Sequence, residues 1–312
     1  MMIDRYGRII DYLRFSVTQR CQQHCLHCFA NGADGKNASE PTVDEIHRLL
    51  RIFGNLGFRK LRFTGGEPLL RCDITDIVNH AFKQGVFNDI ALTTNALLLS
   101  DLAQDLKKSG LSRVNISLNT LKEDRFYDYA DASIKKVFNG IEAVFSVGLL
   151  PLKLNVVLLK GINDDEISDF INLTKEYPLD IRFIELMPMG NMKYTGVSGE
   201  EILASFPSLL PVRNDQRSVA DCYSLPGAHG NVGFINPISS CFCQDCSRMR
   251  VTSDLKLRPC LGDNSEYDIS AFLQKDDDTL QTYISDIIYN KPQCNSFSKM
   301  FVTNRTMNRL GG

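Results

Sequence analysis

The sequence predicts an α/β fold of six consecutive βα units, arranged as an incomplete, TIM-like (βα)6 barrel with a smaller C-terminal domain covering its mouth. Two observations lead to this prediction. Apolar, β-branched runs alternate with helix-length segments over roughly the first 190 residues, and turn-rich sequence follows. Because a closed barrel of this kind normally needs about eight strands, six strands favour an open barrel.

Six short segments have the apolar, β-branched composition of buried strands. They are Ile9–Val17, Lys60–Thr64, Asp89–Thr94, Arg113–Leu118, Leu152–Leu159 and Asp180–Met187. A helix-length segment separates each strand from the next, which is typical of a parallel sheet.

The connecting segments carry helix signals. In the first, Thr42 and Glu45 form a capping-box pattern, apolar residues recur at helical spacing, and Gly57 ends the pattern. Four further helices are predicted within the sequences "DITDIVNHAFKQG", "SDLAQDLKKSG", "SIKKVFNGIEAVFSVG" and "DEISDFINLTKEY".

The pattern changes in the last third of the chain. Turn-rich stretches such as "MPMGNMKYTGVSGEE" and "LPGAHGNVGFINPISS" replace the βα alternation. We therefore predict two domains, a barrel domain over residues 1–215 and a C-terminal domain over residues 216–312.

Composition excludes several classes of protein. The chain has 312 residues, of which 43% are hydrophobic and 23% charged, as in globular proteins that remain in solution. Neither a signal peptide nor an apolar run long enough to span a bilayer is present, so we expect a cytoplasmic protein. The formal net charge of -2 gives no reason to expect nucleic acid or membrane as a partner, and an anionic ligand would need a local basic site.

Six of the ten cysteines fall into two groups of three. Cys21, Cys25 and Cys28, here called the first triplet, are spaced C-x₃-C-x₂-C directly after the first predicted strand. Structural zinc has four ligands and would need a further one such as His24 or His27, whereas a [4Fe–4S] cluster held by three cysteines leaves one iron open. The end of a parallel strand, where βα folds place their reaction sites, favours the cluster.

The second triplet is Cys243, Cys246 and Cys260, spaced C-x₂-C-x₁₃-C. It again offers three thiols, and a zinc ribbon is the structural alternative. The remaining cysteines occur singly, and we expect them to be structural or incidental, because free cysteine packs as a small hydrophobic residue. They are Cys72, Cys222, Cys241 and Cys294.

Several basic residues lie inside predicted strands, where a buried cation without a counter-charge would cost several kcal/mol. They are Arg14, Lys60, Arg62, Lys153 and Arg182. Outward orientation or pairing with acidic side chains could account for any one of them. For the set as a whole, a polyanionic ligand such as a triphosphate is expected.

These motifs together resemble the radical S-adenosylmethionine superfamily, through the first triplet and "TGGEP" at residues 64–68. Within it, the chain is similar to the MoaA-type GTP 3′,8-cyclases of molybdenum cofactor biosynthesis from about residue 4 onward. The segments that carry this likeness are "DRYGR", "FIELMPMGN", "GFINPIS", "FCQDCSRMRVTSDLKLRPCL" and "MNRLGG".

The resemblance implies that the first triplet holds a [4Fe–4S] cluster whose open iron is chelated by S-adenosylmethionine, the missing fourth ligand. One electron then cleaves this cofactor to give a 5′-deoxyadenosyl radical, while the protein positions the reactants and excludes water. Gly65 and Gly66 suit a close approach of backbone to ligand. The residues that the family match assigns to S-adenosylmethionine are His27, Gly66, Ser117 and Met187.

The resemblance also implies a lyase that removes H3′ from the ribose of GTP, joins C3′ to C8 and yields 3′,8-cyclo-7,8-dihydro-GTP. The GTP-binding residues are expected to be Arg14, Lys60, Arg62, Thr93, Lys153, Arg182, Arg248 and Arg250. Arg248 and Arg250 lie close to the second triplet along the chain and are expected to assist catalysis with the first triplet. The "RLGG" ending matches a tail that reaches into the active site in the family.

The second triplet is implied to hold another [4Fe–4S] cluster, whose open iron binds guanine. Expected partners are a flavodoxin- or ferredoxin-like electron donor and a downstream cyclic pyranopterin monophosphate synthase, and the resemblance allows a homodimer. The chain departs from the family pattern at His27, Ala96, Asn119 and Leu255. Ala96 and Leu255 stand where the family has glycine, so they would be strained if their φ angles were positive.

Two other functions fit the same residues. One is a radical S-adenosylmethionine enzyme with an auxiliary cluster that acts on a peptide or another nucleotide. The other is a metal-binding or redox-sensing protein without catalytic activity, in which the thiols serve structure. Metal content separates the second from an enzyme with two clusters, because about eight iron atoms per chain indicate two clusters and one or two zinc ions indicate structural sites.

Overall fold

A computed structural model describes residues 1–28, 40–189, 192–212, 219–297, 301, 303 and 305–311. The strands are β1 (Met2–Ile3), β2 (Ile9–Ile10), β3 (Tyr12–Ser16), β4 (Lys60–Thr64), β5 (Asp89–Thr94), β6 (Arg113–Ser117), β7 (Lys153–Val157), β8 (Asp180–Ile184), β9 (Leu210–Pro211), β10 (Asp221–Ser224), β11 (Asn231–Ile235), β12 (Arg248–Val251), β13 (Lys256–Arg258) and β14 (Tyr267–Asp268). The α-helices are α1 (Val43–Asn55), α2 (Ile74–Lys83), α3 (Leu99–Lys108), α4 (Glu123–Ala130), α5 (Lys135–Val147), α6 (Ile167–Glu176), α7 (Gly199–Ser205), α8 (Asp277–Tyr289) and α9 (Met307–Leu310). Short 3₁₀ turns occur at Pro68–Leu70, Asp164–Glu166, Cys243–Asp245 and Ser270–Gln274.

Twelve strands form one mixed sheet in the order β14-β13-β12-β3-β4-β5-β6-β7-β8-β11-β10-β9. Strands β3 to β8 follow one another in sequence and are parallel. β12 adds parallel to β3 at one side, and β11 adds parallel to β8 at the other. The outer strands are antiparallel, and β1 pairs with β2 in a separate two-stranded sheet.

The six predicted strands are all present, and two of them have the predicted bounds, Lys60–Thr64 and Asp89–Thr94. The first predicted strand is divided instead into β2 and β3. The five predicted helices correspond to α1, α2, α3, α5 and α6. Helices α4, α7, α8 and α9, strand β1 and the strands of the last third were not predicted.

The two faces of the parallel strands differ in chemistry. Buried apolar side chains on one face pack against the helices, as Leu13 and Phe15 of β3 and Leu61 and Phe63 of β4 show. Side chains alternate between the faces of a strand, so the residues between them point to the opposite face. That opposite face, the polar face, carries charged residues, whereas parallel sheets are ordinarily apolar on both sides. A site is therefore expected there.

Helix α1 illustrates how local sequence starts these elements. The Glu45 amide donates to Thr42 Oγ1 over 3.2 Å, and the Thr42 amide donates to Glu45 Oε2 over 2.8 Å. This capping box satisfies amides that have no partner within the helix. The helix ends at Asn55, and Gly57 follows with a φ of +94°. The predicted start and stop signals are confirmed.

The C-terminal third extends the same sheet on both sides, through β9, β10 and β11 next to β8 and through β12, β13 and β14 next to β3. The α/β fold and its run of parallel strands are confirmed. The division into residues 1–215 and 216–312 stays a prediction. Within the described ranges, every helix is too short or too polar to cross a bilayer.

Two of the family departures have measurable consequences in the backbone. Ala96 has a φ of 65° and Leu255 a φ of 56°, in the left-handed region that favours glycine. Asn119 accepts a hydrogen bond from the Val157 amide over 2.9 Å, so its side chain ties β7 to the end of β6. Ala96 and Leu255 therefore bear backbone strain, as was expected for positive φ angles.

The single cysteines lie near the surface. Cys72, Cys241 and Cys294 are exposed, and Cys222 is half-buried. The three exposed thiols do not pack in the core as small hydrophobic residues, and their exposure is compatible with the expectation that these cysteines are incidental.

Candidate active site

The first triplet follows β3, and its three thiols are half-buried. The Cys28 amide donates to the Cys25 carbonyl over 2.9 Å, and the Gln23 amide points to Cys21 Sγ at 3.5 Å. Burial raises the pKa of Cys21 to about 11 and that of Cys28 to about 12. These thiols are therefore protonated near neutral pH, and a metal centre that binds them must displace their protons.

No group of three His, Cys, Asp or Glu side chains among the described residues is arranged to hold a single metal ion. The three thiols of the first triplet nevertheless match the donor set of an iron–sulfur cluster with one open iron. The thiols of an iron–sulfur cluster bind different irons, so they do not have to converge on a single point. The chemistry of the donors, rather than their present spacing, fits such a cluster.

The loop after β4 packs on the segment that leads into the first triplet. The Gly66 amide donates to the Thr18 carbonyl over 2.8 Å, and the Glu67 amide donates to the Arg20 carbonyl over 2.7 Å. A Cβ at Gly66 would lie 2.2 Å from the Arg20 carbonyl oxygen. Gly65 and Gly66 were expected to allow a close approach of a ligand. In the structure, the atoms that approach them closely belong to the protein's own backbone instead.

Replacing Gly66 with alanine is expected to lower the free energy of unfolding by about 2–3 kcal/mol and to reduce the iron bound after reconstitution. The added methyl group must push the Thr18–Arg20 backbone away and thereby displace Cys21. Gly85→Ala is the control, because its Cβ meets no atom within 4 Å and only its positive φ of +67° costs energy. Chemical denaturation and iron analysis measure both effects, and equal results for the two variants would contradict the prediction.

Glu67 is buried in the same loop and joins it to the end of β5. Its carboxylate accepts hydrogen bonds from Thr94 Oγ1 and the Asn95 amide, both over 2.7 Å, and from the Leu69 amide over 3.0 Å. Burial outweighs these bonds and raises the pKa of Glu67 from 4.5 to about 7. The carboxyl group thus fixes two loops at the carboxyl ends of neighbouring strands.

This pKa predicts a pH-dependent stability. Between the unfolded pKa and the folded pKa of about 7, the folded protein binds more protons at Glu67 than the unfolded chain does. The contribution of Glu67 to stability therefore falls as pH rises, by about 3 kcal/mol from pH 5 to pH 8. Urea denaturation at both pH values should show this loss in the wild type and not in Glu67→Gln, while Glu142→Gln, at an exposed position, behaves like the wild type. The same pH dependence in Glu67→Gln and in the wild type would rule out this assignment.

Three arginines lie side by side on the polar face and are called here the arginine row. Arg250 of β12 pairs in register with Arg14 of β3, which pairs with Arg62 of β4. Burial and then Arg250 lower the pKa of Arg14 well below its usual value. Burial and Arg248 lower the pKa of Arg250 to about 9. Adjacent buried cations repel one another, so the row favours an anion.

Other predicted site residues adjoin the row. Arg62 donates to Thr93 Oγ1 over 3.3 Å and also to the Tyr12 hydroxyl. Burial and the charge of Arg62 lower the pKa of Arg182. Lys153 forms a 2.9 Å ion pair with Asp180, so it has a protein counter-charge that was not predicted.

Lys60 lies apart from the row. It is half-buried at the start of β4, in register with Tyr12 and Asp89. Its position two residues before Arg62 places it on the same face of the strand. Lys60 is thus related to the arginine row only through its position on the same strand face as Arg62.

The second triplet surrounds the start of the β12–β13 hairpin. Cys243 begins a 3₁₀ turn, and its Sγ lies 3.4 Å from the Asn295 amide and 3.3 Å from Asn295 Nδ2. Burial would raise the pKa of Cys246, but Arg248 and Lys291 outweigh it and lower the pKa to about 6. The Arg248 guanidinium also lies 4.6 Å from the centre of the Phe242 ring. Three thiols next to cations again fit an iron–sulfur cluster better than a closed zinc site.

The two triplets lie at opposite ends of neighbouring parallel strands. The first triplet follows the carboxyl end of β3, whereas Cys246 precedes the amino end of β12, which is parallel to β3. A strand of five residues spans roughly 16 Å. The arginine row lies between these ends, so an anion bound there would lie between the two triplets.

Three of the residues assigned to S-adenosylmethionine lie at the edge of the sheet where the first triplet follows β3. Gly66 follows β4, Ser117 ends β6 and Met187 follows β8, all at the carboxyl edge of the parallel strands. Burial lowers the pKa of His27 to about 4, so its ring is neutral near pH 7. A neutral buried imidazole is suited to stacking on a base.

The C-terminal segment closes this region. Met307 and Leu310 pack in an apolar cluster that also includes Met187 and Cys28. A Cβ at Gly311 would lie 2.9 Å from Ser16 Cβ and from Thr64 Oγ1, and Arg250 donates to the Gly311 carbonyl over 3.4 Å. Gly311 therefore touches the arginine row, while Gly312 lies outside the described residues, as do Gly190 and Asn191.

Some residues that shape the site were not predicted from sequence. Glu67 belongs to the motif "TGGEP" and Arg8 to the motif "DRYGR", but no individual role was predicted for either residue. Lys291 and Asn295 had no motif, and their contacts with the second triplet depend on pairing that a local pattern does not specify. An isolated lysine or asparagine in a turn gives no sequence signal of burial.

Comparison with known proteins identifies two families along the chain. The model of the radical SAM superfamily matches residues 15–174, and the model named Molybdenum Cofactor Synthesis C matches residues 179–297. Among curated relatives, a GTP 3′,8-cyclase of Clostridium botulinum (strain Langeland) is 45% identical over 93% of both chains. A GTP 3′,8-cyclase of Alkaliphilus oremlandii is 42% identical over the full length of both.

A solved structure supports the fold. Streptococcus suis SuiB bound to S-adenosylmethionine matches with a TM-score of 0.64 and 16% sequence identity, covering 91% of this chain and 67% of SuiB. At this level of identity the match concerns the fold only. The radical SAM model implies an iron–sulfur cluster and S-adenosylmethionine, which agrees with the donors of the first triplet.

Proposed function

Since this chain belongs to the GTP 3′,8-cyclase family of the radical SAM superfamily, we propose that it converts GTP to 3′,8-cyclo-7,8-dihydro-GTP in molybdenum cofactor biosynthesis. The observation that carries the proposal is the arginine row between the two triplets. Its buried like charges favour a ligand with several negative charges, as a triphosphate has.

The first triplet supplies three thiolates and leaves one iron for S-adenosylmethionine. When bound, this pair of cofactors supplies the radical that removes H3′ from the ribose. The loop containing Gly66 and Glu67 holds the segment before Cys21 in place. Met187, Met307 and Leu310 form an apolar wall beside Cys28 that excludes water from the reacting groups.

The residues proposed to bind GTP divide by position. Arg14, Arg62 and Arg250 bind the phosphates, with Thr93 orienting Arg62. Lys153, Arg182, Arg248 and Lys60 extend this basic surface. Arg248 lies near the second triplet, where it can pair with either phosphate or cluster charge. These roles are inferred from placement and charge.

We further propose that the second triplet holds a second [4Fe–4S] cluster whose open iron binds guanine. Cys243, Cys246 and Cys260 again offer three thiolates. Because the two triplets lie at opposite ends of β3 and β12, the guanine of bound GTP would lie toward the second cluster and its ribose toward the first. A partial barrel of six βα units, formed by β3 to β8, would enclose the substrate on the polar face, with the C-terminal strands completing the wall.

The proposed setting is the cytoplasm, with electrons from a flavodoxin- or ferredoxin-like protein. The product would pass to a cyclic pyranopterin monophosphate synthase, because that step uses the cyclised nucleotide. A homodimer is compatible with this activity.

The test is anaerobic turnover of the reconstituted, reduced protein with S-adenosylmethionine and GTP deuterated at C3′. Mass analysis of the 5′-deoxyadenosine reports which hydrogen was removed. Deuterium in this product supports the proposal. Unlabelled 5′-deoxyadenosine would show a radical enzyme with a different substrate, and no cleavage by protein with loaded clusters would favour a structural or redox-sensing role.

A further inference from the structure

Lys291 is a buried lysine that follows α8 and is 1% exposed. Its Nζ donates to the Arg248 carbonyl over 3.0 Å and to the Pro259 carbonyl. Lysine is rarely buried, because its charge must be compensated by neighbouring groups. The two carbonyls alone provide hydrogen bonds but no full negative charge.

The two carbonyl acceptors belong to the chain segments that carry two cysteines of the second triplet. Pro259 directly precedes Cys260, and Arg248 follows Cys246 by two residues. β12 and β13 are antiparallel, with Arg250 opposite Arg258. Lys291 therefore bridges the open end of this hairpin and fixes the separation of Cys246 from Cys260.

The residues after Lys291 contact the third cysteine. Arg8 donates to the carbonyls of Cys243 over 2.9 Å, Gln293 over 2.8 Å and Pro292 over 2.7 Å. Asn295 contacts Cys243 Sγ directly. The segment from residue 291 to residue 295 thus contacts the chain segments that carry all three cysteines of the second triplet.

The charge of Lys291 also faces the thiols. Burial lowers the pKa of Lys291, the negative charges of Cys246 and Cys260 oppose this lowering, and the charges of Arg8 and Arg248 add to it. A cluster held by three thiolates carries negative charge, and its one-electron reduction adds more. A buried ammonium beside it stabilises the reduced state more than the oxidised state.

We propose that Lys291 is a positioning residue for the second triplet, and that its charge raises the reduction potential of the iron–sulfur cluster bound there. This inference rests on the second cluster advanced under the proposed function. Lys291 acts through the carbonyls of Arg248 and Pro259 and through its charge, without contacting GTP.

The experiment isolates the second cluster in a full-length chain that carries Cys21→Ala, Cys25→Ala and Cys28→Ala. This parent is reconstituted with iron and sulfide and titrated with dithionite while the reduced cluster is followed by electron paramagnetic resonance. Lys291→Met removes the donors and the charge, and Lys291→Gln keeps an N–H donor group without the charge. Lys275→Met is the control, since Lys275 is an exposed lysine in the same region.

At a fixed potential, both Lys291 variants are expected to show a ratio of reduced to oxidised cluster at least tenfold below that of the parent. A tenfold change corresponds to about 59 mV for one electron. The control should match the parent. A purely structural lysine would not produce the same shift in Lys291→Gln, provided that iron content and circular dichroism are unchanged.

Two results would overturn the inference. Unchanged potentials in both Lys291 variants would refute the role of the charge while leaving the second cluster intact. A parent that folds but binds no iron would refute both the inference and the second cluster. If Lys291→Met fails to fold by circular dichroism, Lys291→Gln carries the comparison.

Discussion

Replacing Cys25 with alanine is expected to reduce the cleavage of S-adenosylmethionine by at least about 1,000-fold, because two thiolates cannot hold the first cluster in its active form. The iron content should fall from about eight to about four atoms per chain, since the second triplet is unaffected. Production of 5′-deoxyadenosine and iron analysis measure the two effects on the same preparation.

Cys72→Ala is the matched control, because it removes an exposed thiol that belongs to neither triplet. It should retain the iron content and activity of the wild type. Full activity in Cys25→Ala, or an equal loss in Cys72→Ala, would contradict the assignment of the first triplet. A loss of all iron in Cys25→Ala would indicate that the two triplets bind metal cooperatively.

Replacing Arg14 with methionine is expected to have opposite effects on substrate use and on stability. Loss of charged hydrogen bonds to phosphate should lower kcat/KM for GTP by about 10- to 100-fold. The free energy of unfolding without GTP should rise by about 1 kcal/mol, because a buried cation between Arg62 and Arg250 is removed. Steady-state kinetics and chemical denaturation test the two effects.

Arg51→Met is the control for Arg14→Met. Arg51 is 56% exposed at its side chain and pairs with Asp277 at the surface. Its loss should change stability by less than about 1 kcal/mol and leave GTP use unchanged. If Arg14→Met lowers stability and leaves kcat/KM unchanged, the arginine row serves the fold rather than an anionic substrate.

The parallel strands could be predicted because their signal is local. In β4 the apolar residues Leu61 and Phe63 alternate with Lys60 and Arg62, and the structure places the two sets on opposite faces. The same alternation makes basic residues in strands candidates for a site. A buried strand that carries cations conflicts with ordinary packing, and such conflicts are expected mainly at functional or strained sites.

The C-terminal strands could not be predicted in the same way. β12 and its partner β3 are separated by most of the sequence. The pairing of β12 with β3, like that of β11 with β8, depends on the assembled sheet rather than on local sequence. Only this pairing brings Arg250 next to Arg14. Sequence placed Arg250 near the second triplet, but it did not predict the row that joins Arg250 to Arg14 and Arg62.

The acidic partner of Lys153 was missed for a related reason. Asp180 lies at the start of the next strand, and register alone places it opposite Lys153. The positive φ angles of Ala96 and Leu255 were expected only conditionally, since a side chain in a turn does not reveal the turn type. These features depend on geometry that a single sequence leaves open.

The pairing of β12 with β3 has a consequence for synthesis on the ribosome. At a translation rate of roughly 5–20 residues per second, on the order of tens of seconds pass between the synthesis of β3 and that of β12. During that interval β3 is an exposed edge, open to pairing with another chain. The nascent chain is therefore exposed to edge-to-edge association until its last strands dock, and the arginine row is complete only after β12 is in place.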